Sequence, residues 1–162
     1  MKAKRIWIFG ATASGKTTLA KDISKKLRMP YYSTDDFIYK KKWFEKYSDA
    51  VQVKKLKDVA KKSSWIIEGV HKNDWVKSSI DKADLIIFLN TGKLRLFSRV
   101  IKRQLGRKKS NEPGTDPLDS IKLLWWAFKH QPRHYKKYRQ EKHNFIILSG
   151  PRQVNKFLRE LK

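Results

Sequence analysis

Eight consecutive residues near the start of the chain combine two glycines, a lysine and a hydroxyl at the spacing G-x-x-x-x-G-K-[ST]. They are Gly10, Ala11, Thr12, Ala13, Ser14, Gly15, Lys16 and Thr17. Glycines allow a tight turn with several N–H groups pointing inward, where they attract anionic oxygens. An apolar run precedes the turn, and a helix beginning near Lys16 adds the positive end of its dipole. The pattern therefore predicts a loop that binds nucleotide phosphates.

The side chains of this loop have separate expected roles. We expect Lys16 to reach the β- and γ-phosphates of ATP, and Thr17 to ligate Mg²⁺. The backbone of residues 10–15 is expected to hold the phosphate oxygens. Thr18 completes the predicted cofactor-binding set, with the alternative that it is a helix residue with no direct role.

A second group of residues recurs every four positions: Arg95, Arg99, Arg103 and Arg107. In a helix each step turns the side chain by about 40°, so all four lie within about 120° of arc. Lysine outnumbers arginine 29 to 10 in the chain, yet residues 95–107 hold four arginines and one lysine. Because the guanidinium fork suits phosphoryl oxygens, we expect at least two of these arginines to contact the phosphates of the nucleotide. The alternative is an ordinary amphipathic helix whose solvated charged face lies opposite Leu94, Phe97, Ile101 and Leu105.

Carboxylates follow two of the apolar segments that read as strands. Asp35 comes after residues 31–33, and Glu68-Gly69 ends the third strand. Strand ends of this kind face the ligand crevice of a parallel sheet. We expect Asp35 to orient a substrate hydroxyl, accept its proton or hold Mg²⁺ through water, with helix capping by Asp35 or Asp36 as the alternative. Glu68 is expected to bind polar groups of the substrate and Gly69 to let backbone approach, unless the pair is only a strand-ending turn.

The remaining candidates are single residues. Arg133 is expected to contact phosphate on the substrate side. Arg152 is expected to stack on the adenine, with a helix-entry turn as the alternative. Many P-loop enzymes end a strand beside the loop with a magnesium-linked Asp, but Asn90 stands there, and Asp84 precedes that strand at its other end. Asp35 is therefore the predicted metal carboxylate.

Short apolar segments alternating with amphipathic ones must position these residues. Strands are predicted at 5–9, 31–33, 65–68, 85–89 and 145–148. Helices are predicted at 16–27, about 49–62, about 74–81, about 93–108, 119–129, after Pro132 to about 142, and 151–161. For residues 36–46 the sequence leaves two alternatives, a loop and a short helix. The alternation predicts an α/β, three-layer P-loop NTPase fold with a five-stranded parallel sheet and a helical lid.

The composition limits the class of protein. The chain has 162 residues and 19.2 kDa, which predicts one domain over 1–162, with a lid at about 95–140 that excludes water on closing. It has no cysteine, which excludes disulfides and thiolate chemistry. No apolar run approaches ~18 residues, which excludes a transmembrane helix, and the run at 6–9 is too short for a signal peptide. A cytoplasmic protein without a membrane partner is the expectation.

The net charge of +24 points to a polyanionic partner or to a lysine-rich background. Residues 1–90 carry 20 basic and 10 acidic residues, and residues 91–162 carry 19 and 5. The excess is therefore spread along the chain and forms no basic tail. Nucleic acid is a possible partner on this ground, beside a nucleotide and its acceptor.

These motifs together resemble the nucleoside monophosphate kinase group. More narrowly, the chain is similar to the adenylate-kinase-related proteins called DNA topology modulation proteins. The resemblance covers nearly the whole chain and rests on Ile8-Phe9-Gly10, Ser14-Gly15-Lys16-Thr17, Asp35, Trp65-Ile66-Ile67-Glu68-Gly69, Ile86-Ile87-Phe88-Leu89, Arg99 with Arg103, and Ser149-Gly150-Pro151-Arg152. It implies a five-stranded parallel sheet, use of ATP and Mg²⁺, and a lid with catalytic arginines. Lys16, Arg99 and Arg103 would clamp phosphates, and Asp35 and Glu68 would serve the substrate.

The main hypothesis is an ATP-dependent phosphotransferase acting on a small molecule or a nucleotide. The alternative is a nucleotide-regulated nucleic-acid-binding protein that affects DNA topology. The net positive charge is the observation that supports it. A simple ATPase is a third reading, with Gln104 as its one candidate for positioning water. The sequence leaves the acceptor and the oligomeric state open.

Overall fold

The computed structural model describes residues 3–41, 45–69, 74–109, 122, 125 and 144–161 of the chain. The strands are β1 Arg5–Gly10, β2 Tyr31–Ser33, β3 Tyr39–Lys41, β4 Glu45–Lys46, β5 Trp65–Gly69, β6 Leu85–Leu89 and β7 Phe145–Leu148. The helices are α1 Lys16–Leu27, α2 Thr34–Ile38, α3 Asp49–Ala60, α4 Lys77–Asp81, α5 Lys93–Lys109 and α6 Pro151–Glu160. One turn of 3-10 helix, Asp74–Val76, precedes α4.

Five parallel strands form the main sheet in the order β2-β5-β1-β6-β7. The central strand is β1, and its Ile8 lies beside Glu68 of β5 and Ile87 of β6. Every residue of β5 and β6 is buried. Helices on both faces explain why these strands are almost continuously apolar. The predicted α/β class and the five-stranded parallel sheet are confirmed.

The two faces of the sheet carry separate cores because side chains alternate along each strand. Ile6 and Ile8 pack with Ile23 of α1, in a core that also receives side chains of α6. Trp7, between them, packs on the other face with Leu56 of α3 and with α4. The sheet is thus the middle of three layers, as predicted.

Residues 36–46 hold the main departure from the predicted elements. After the short helix α2, the strands β3 and β4 pair antiparallel, with Tyr39 opposite Lys46 and Lys41 opposite Glu45. This hairpin was not predicted, because its lysine-rich sequence lacks the apolar alternation of a half-buried strand. We call strands β3 and β4 together the acceptor hairpin, because they follow the helix α2, which carries Asp35, the residue predicted to orient a substrate hydroxyl.

The other predicted elements in the described ranges agree with the structure to within two residues, except that the helix predicted from about 74 starts with a 3-10 turn. Of the helix predicted at 119–129 the structure describes residues 122 and 125, both helical. The helix predicted after Pro132 lies outside the described residues, as does most of the predicted lid beyond α5. Within the described ranges, none of the helices is both long enough and apolar enough to cross a membrane.

Asp84 lies at the end of the sheet opposite the phosphate loop, as its place before β6 predicted. Its carboxylate accepts hydrogen bonds from the Arg5 guanidinium, at 2.6 Å and 3.1 Å, and from the backbone N–H groups of Lys4 and Arg5. Burial alone would raise the Asp84 pKa, but these hydrogen bonds outweigh it, so that the pKa lies below its ordinary value. Asp84 therefore ties β1 to β6 rather than serving the ligand crevice.

Candidate functional site

The loop between β1 and α1 has the backbone geometry that its glycines predicted. Gly15, the N-cap of α1, has φ of 101° and ψ of 18°. This left-handed conformation is readily adopted by glycine and strained for other residues. Ala13 shares the left-handed region with φ of 61°. Two left-handed residues turn the chain sharply into the N-terminus of a 12-residue helix, where unpaired N–H groups attract anions.

The polar side chains of the loop are buried beneath it. Lys16 is only 8% exposed, and its Nζ donates a hydrogen bond to the Ala11 carbonyl oxygen at 2.9 Å. Ser14 is 5% exposed, and its buried Oγ has no hydrogen-bond partner among the described residues. A buried hydroxyl without a partner costs free energy that a bound anion can recover. The loop therefore fits phosphate oxygens, with a cation and a hydroxyl already beside its N–H groups.

A carboxylate lies directly beside the last residue of the loop motif. The Thr17 hydroxyl donates to Glu68 Oε1 at 2.9 Å, and Glu68 is buried at the end of β5. Hydroxyl and carboxylate oxygens are the ligands that Mg²⁺ prefers. This pair therefore fits a magnesium ion at the edge of the phosphate loop. The sequence pointed to Asp35 for the metal and to Glu68 for the substrate, but the structure joins Glu68 to the predicted metal ligand Thr17.

Asp35 lies in the first turn of α2, at the carboxyl end of β2. The N-cap of α2 is Ser33, whose Oγ accepts the Asp35 N–H at 3.4 Å, so neither Asp35 nor Asp36 caps the helix. Burial raises the pKa of Tyr39, and the negative charge of Asp35 raises it further. Asp35 and the first residue of the acceptor hairpin therefore share one electrostatic environment, and Ser33 aligns with Glu68 in the sheet register.

Gly69 joins β5 to α2 by close packing. A Cβ atom at this position would lie 1.8 Å from Thr34 Oγ1 and 2.9 Å from Thr34 Cβ, and Thr34 is fully buried. A side chain at position 69 would therefore displace the start of α2. The structure gives Gly69 this packing role, where the sequence suggested an approach of substrate to backbone.

Arg99 of α5 lies against the outer side of the phosphate loop. Its Nη1 donates to the carbonyl oxygens of Ala13 at 3.2 Å and Ser14 at 2.9 Å. The Thr91 hydroxyl donates to the same Ser14 oxygen at 3.2 Å. These three donated bonds hold the strained part of the loop. Thr91 was missed from the sequence because it carries no motif; its position just after β6 is the only signal.

The apolar contacts of α5 differ from those that the sequence indicated. Leu96 and Val100 are buried against Ala11 of the loop. Three residues of the apolar face opposite the arginines are exposed instead: Leu94, Phe97 and Ile101. The side chains of Arg103, Leu105 and Arg107 lie outside the described set. The arginine side of the helix, carrying Arg99, therefore faces the loop.

A second cluster of polar residues closes the carboxyl ends of β6 and β7. Asn90 Nδ2 donates to Ser149 Oγ at 3.3 Å, and the Ser149 N–H donates to Gln153 Oε1 at 2.6 Å. Arg95 Nη1 lies 3.2 Å from where a Cβ on Gly150 would stand. Arg152, exposed in the first turn of α6, is at the same end. Gln153 was missed because only the folded loop brings it back to Ser149.

Two predicted positions remain to be placed. Thr18 is exposed on α1, which suits the helix residue without direct role. Arg133 lies outside the described residues. Among the residues that the structure describes, no group of three His, Asp or Glu side chains has the arrangement of a protein-only metal site. A Mg²⁺ ion at Thr17 and Glu68 would therefore need further oxygens from a nucleotide and water.

Comparison with known proteins finds solved structures with a similar fold. No family model matches the chain, and neither does any curated protein. Among solved structures, a shikimate kinase from Bacteroides thetaiotaomicron matches 98% of this chain and 96% of its own, with a TM-score of 0.65 and 18% identity. The chain shares the α/β fold of that structure.

Two further kinase structures share this fold. Shikimate kinase from Acinetobacter baumannii, solved in complex with shikimate, matches 99% of this chain and 97% of its own, with a TM-score of 0.61 and 17% identity. A gluconokinase from Sinorhizobium meliloti matches 98% and 93%, with a TM-score of 0.57 and 13% identity. At these identities the likeness shows the fold alone.

Proposed function

We propose that this protein is an ATP-dependent phosphotransferase that moves a phosphoryl group to a hydroxyl of an acceptor. The observation that carries the proposal is the Thr17–Glu68 hydrogen bond beside the buried Lys16. Thr17, Glu68 and Lys16 lie at one edge of the sheet, where they suit a metal ion and a phosphate group. Asp35 follows the neighbouring strand at that edge and supplies a separate carboxylate. Phosphoryl transfer needs little more than such positioning and charge.

On the nucleotide side, the backbone of residues 10–15 binds the phosphates. Lys16 exchanges its bond to the Ala11 carbonyl for the β- and γ-phosphate oxygens, and Ser14 Oγ gains the partner it lacks. Arg99 acts on the loop through its carbonyls as a positioning residue. The adenine lies towards Asn90, Ser149 and Arg152. Arg103 and Arg133, together with the lid at about 95–140 in a single domain, stay predictions.

Thr17 and Glu68 are the residues that would hold Mg²⁺. The ion, when bound, neutralises charge that develops between the β- and γ-phosphates. Because Glu68 already accepts the Thr17 hydroxyl, the two oxygens need no large movement to share one ligand. Assigning Glu68 to the metal leaves Asp35 for the acceptor.

On the acceptor side, Asp35 accepts the proton of the attacking hydroxyl. The hydroxyl oxygen forms a bond to the γ-phosphorus while the bond from that phosphorus to the β-phosphate oxygen breaks, releasing ADP. Asp35 is half-buried in the first turn of α2. The narrower likeness to DNA topology modulation proteins and the cytoplasmic location also stay predictions.

A phosphoryl-transfer screen tests this function. Mg·ATP labelled in the γ-phosphate is offered with nucleoside monophosphates, nucleosides, shikimate, sugar acids and oligonucleotides. We expect at least one acceptor to gain label and Lys16→Ala to lose transfer by about 10²–10³-fold, since its cation acts on the transferring group. Lys21→Ala, a change to an exposed lysine of α1, is the control and should keep full activity. Wild-type transfer by Lys16→Ala would contradict the proposal.

A further inference from the structure

Four lysine–tyrosine pairs lie among the described residues on the acceptor side of the molecule. The lysine of one pair, Lys40 over Tyr47 at 6.0 Å, is neutralised by Glu45, which leaves three pairs. In each, the ammonium group lies over a tyrosine ring within cation–π range. The distances from Nζ to the ring centroid are 5.8 Å for Lys46 and Tyr39, 3.8 Å for Lys55 and Tyr47, and 5.1 Å for Lys62 and Tyr32. Lys62 also donates to the Tyr32 hydroxyl at 2.9 Å. We call these three pairs the lysine–tyrosine track.

One pair of the track lies beside Asp35. Tyr39 lies within the field of Asp35, and Lys46 faces it across the acceptor hairpin. Tyr47 follows the hairpin, and its N–H donates to Ile38 at 2.9 Å. The other two lysines lie on α3 and two residues past its end. Lys55 and Lys62 are seven residues apart, which at 1.5 Å per residue is roughly 10 Å along the helix axis, so the track extends beyond a single small anionic group.

The acidic residues of this surface do not neutralise the track. Glu45 pairs with Lys40 at 2.6 Å, and Asp58 pairs with Lys61 at 3.7 Å. Asp49 lies in the first turn of α3, where the helix dipole favours its charge. Lys54 and Lys57 add two further exposed cations along the same helix. The surface therefore keeps a net positive charge along its length.

The tyrosines limit the freedom of the lysines. An ammonium held over a ring samples fewer rotamers, so less conformational entropy is lost when it binds an anion. Alternating cations and aromatic rings are also how proteins bind single-stranded nucleic acid: the cations follow the phosphates, and the rings contact the bases. A string of phosphates at repeated intervals matches this track better than a single anionic group does.

We infer that the acceptor is the terminal hydroxyl of a single-stranded nucleic acid. This inference rests on the proposed function. The terminal nucleotide lies at Asp35, and the phosphates behind it lie along the lysine–tyrosine track. The terminal hydroxyl oxygen bonds to the γ-phosphorus of ATP, its proton passes to Asp35, and ADP leaves. The products are a strand with one more terminal phosphate and ADP.

The test uses the full-length protein, Mg·ATP labelled in the γ-phosphate, and a 12-nucleotide single strand of DNA or RNA. One strand has free hydroxyls at both ends, one has a phosphate at its 5′ end, and one is blocked at its 3′ end, so the label identifies the end that reacts. We expect transfer to the free strand, with a KM that rises with salt as counterion release requires. A mononucleotide should react with a KM at least tenfold higher.

The matched variants are Lys46→Gln/Lys55→Gln on the track and Lys21→Gln/Lys25→Gln on exposed positions of α1, which remove the same charge. The track variant should raise the KM for the strand at least tenfold while the KM for ATP stays unchanged, and the α1 variant should stay within twofold of wild type. Equal changes in the KM for the strand in the two double variants would show that the track does not bind the strand.

Two other outcomes separate this inference from the proposed function. Efficient transfer to a small acceptor with none to any strand overturns the inference and leaves the proposed function standing. Tight ATP binding without transfer to any acceptor overturns both. Transfer to a mononucleotide as efficient as to the 12-nucleotide strand also overturns the inference, since the track would then contribute nothing.

Discussion

The phosphate loop and the acceptor hairpin flank the same edge of the sheet, but different contacts hold them. Buried side chains of α5 pack beneath the loop, and Arg99 and Thr91 hold its carbonyl oxygens from outside. Among its described residues, the hairpin has the Lys40–Glu45 ion pair, which joins half-exposed side chains. Surface ion pairs contribute about 0–1 kcal/mol, whereas buried contacts and hydrogen bonds contribute more.

This difference has a functional reading. A rigid loop presents the same N–H groups to every nucleotide phosphate, so its preorganisation lowers the cost of binding ATP. The described ion pair of the hairpin lies at the surface, where a substitution changes stability little. Substitutions that affect the junction of the two regions should therefore have larger effects than substitutions within the hairpin.

The largest change in stability is expected at Gly69, which lies at that junction. Gly69→Ala places a methyl group within 1.8 Å of Thr34 Oγ1, so Thr34 and the start of α2 must shift. We expect a loss of about 1–3 kcal/mol in the free energy of unfolding, measured by urea denaturation.

Thr34→Ala tests the cause of that loss. It removes the Oγ1 and Cγ2 atoms that the new methyl group meets, so the double variant should recover part of the lost stability. The remaining contact to Thr34 Cβ, at 2.9 Å, limits the recovery. Additive effects of the two substitutions would show that Gly69 does not pack against Thr34 as described.

A smaller effect is expected at Arg99, which joins the loop to α5. Arg99→Gln shortens the side chain and removes the charge, so its bonds to Ala13 and Ser14 are lost. We expect ATP to bind about 5–10-fold more weakly by calorimetry, which corresponds to about 1 kcal/mol for a partly exposed hydrogen bond. Arg28→Gln on the far end of α1 is the control. Equal ATP affinities of wild type and Arg99→Gln would show that the contact of α5 with the loop does not support ATP binding.

Sequence reasoning reached the two regions unequally. Loop, strands and long helices follow from spacing within one segment, and they were predicted to within two residues. The Thr17–Glu68 pair was not predicted, because it depends on β5 lying next to β1. Local sequence does not determine the order of strands in a sheet. The hairpin and the contact of Thr34 with Gly69 were missed for the same physical reason: each depends on atoms far apart in the chain or on a pairing without apolar alternation.

The smallest expected effect concerns the titration of Tyr39 in the hairpin. Burial, with a smaller contribution from Asp35, raises its pKa above the ordinary tyrosine value. Tyr39 therefore favours folding below the ordinary tyrosine pKa, and this contribution is lost as the pH rises through the higher folded value. The difference in ultraviolet titration between wild type and Tyr39→Phe should show it.

Asp35→Asn sharpens this test of the acceptor side. Removing the negative charge should lower the Tyr39 pKa only in part, because burial is the larger cause. An unchanged Tyr39 titration in Asp35→Asn would show that Asp35 and the hairpin do not share an environment.

The most direct test of the account compares Glu68→Gln with Asp35→Asn in ATP binding measured with and without Mg²⁺. If Glu68 and Thr17 hold the ion, Glu68→Gln binds ATP with an affinity that no longer responds to Mg²⁺. Asp35→Asn should keep the Mg²⁺ response of wild type and lose phosphoryl transfer instead. A preserved Mg²⁺ response in Glu68→Gln, or its loss in Asp35→Asn, would contradict the division of the site into a metal carboxylate and an acceptor carboxylate.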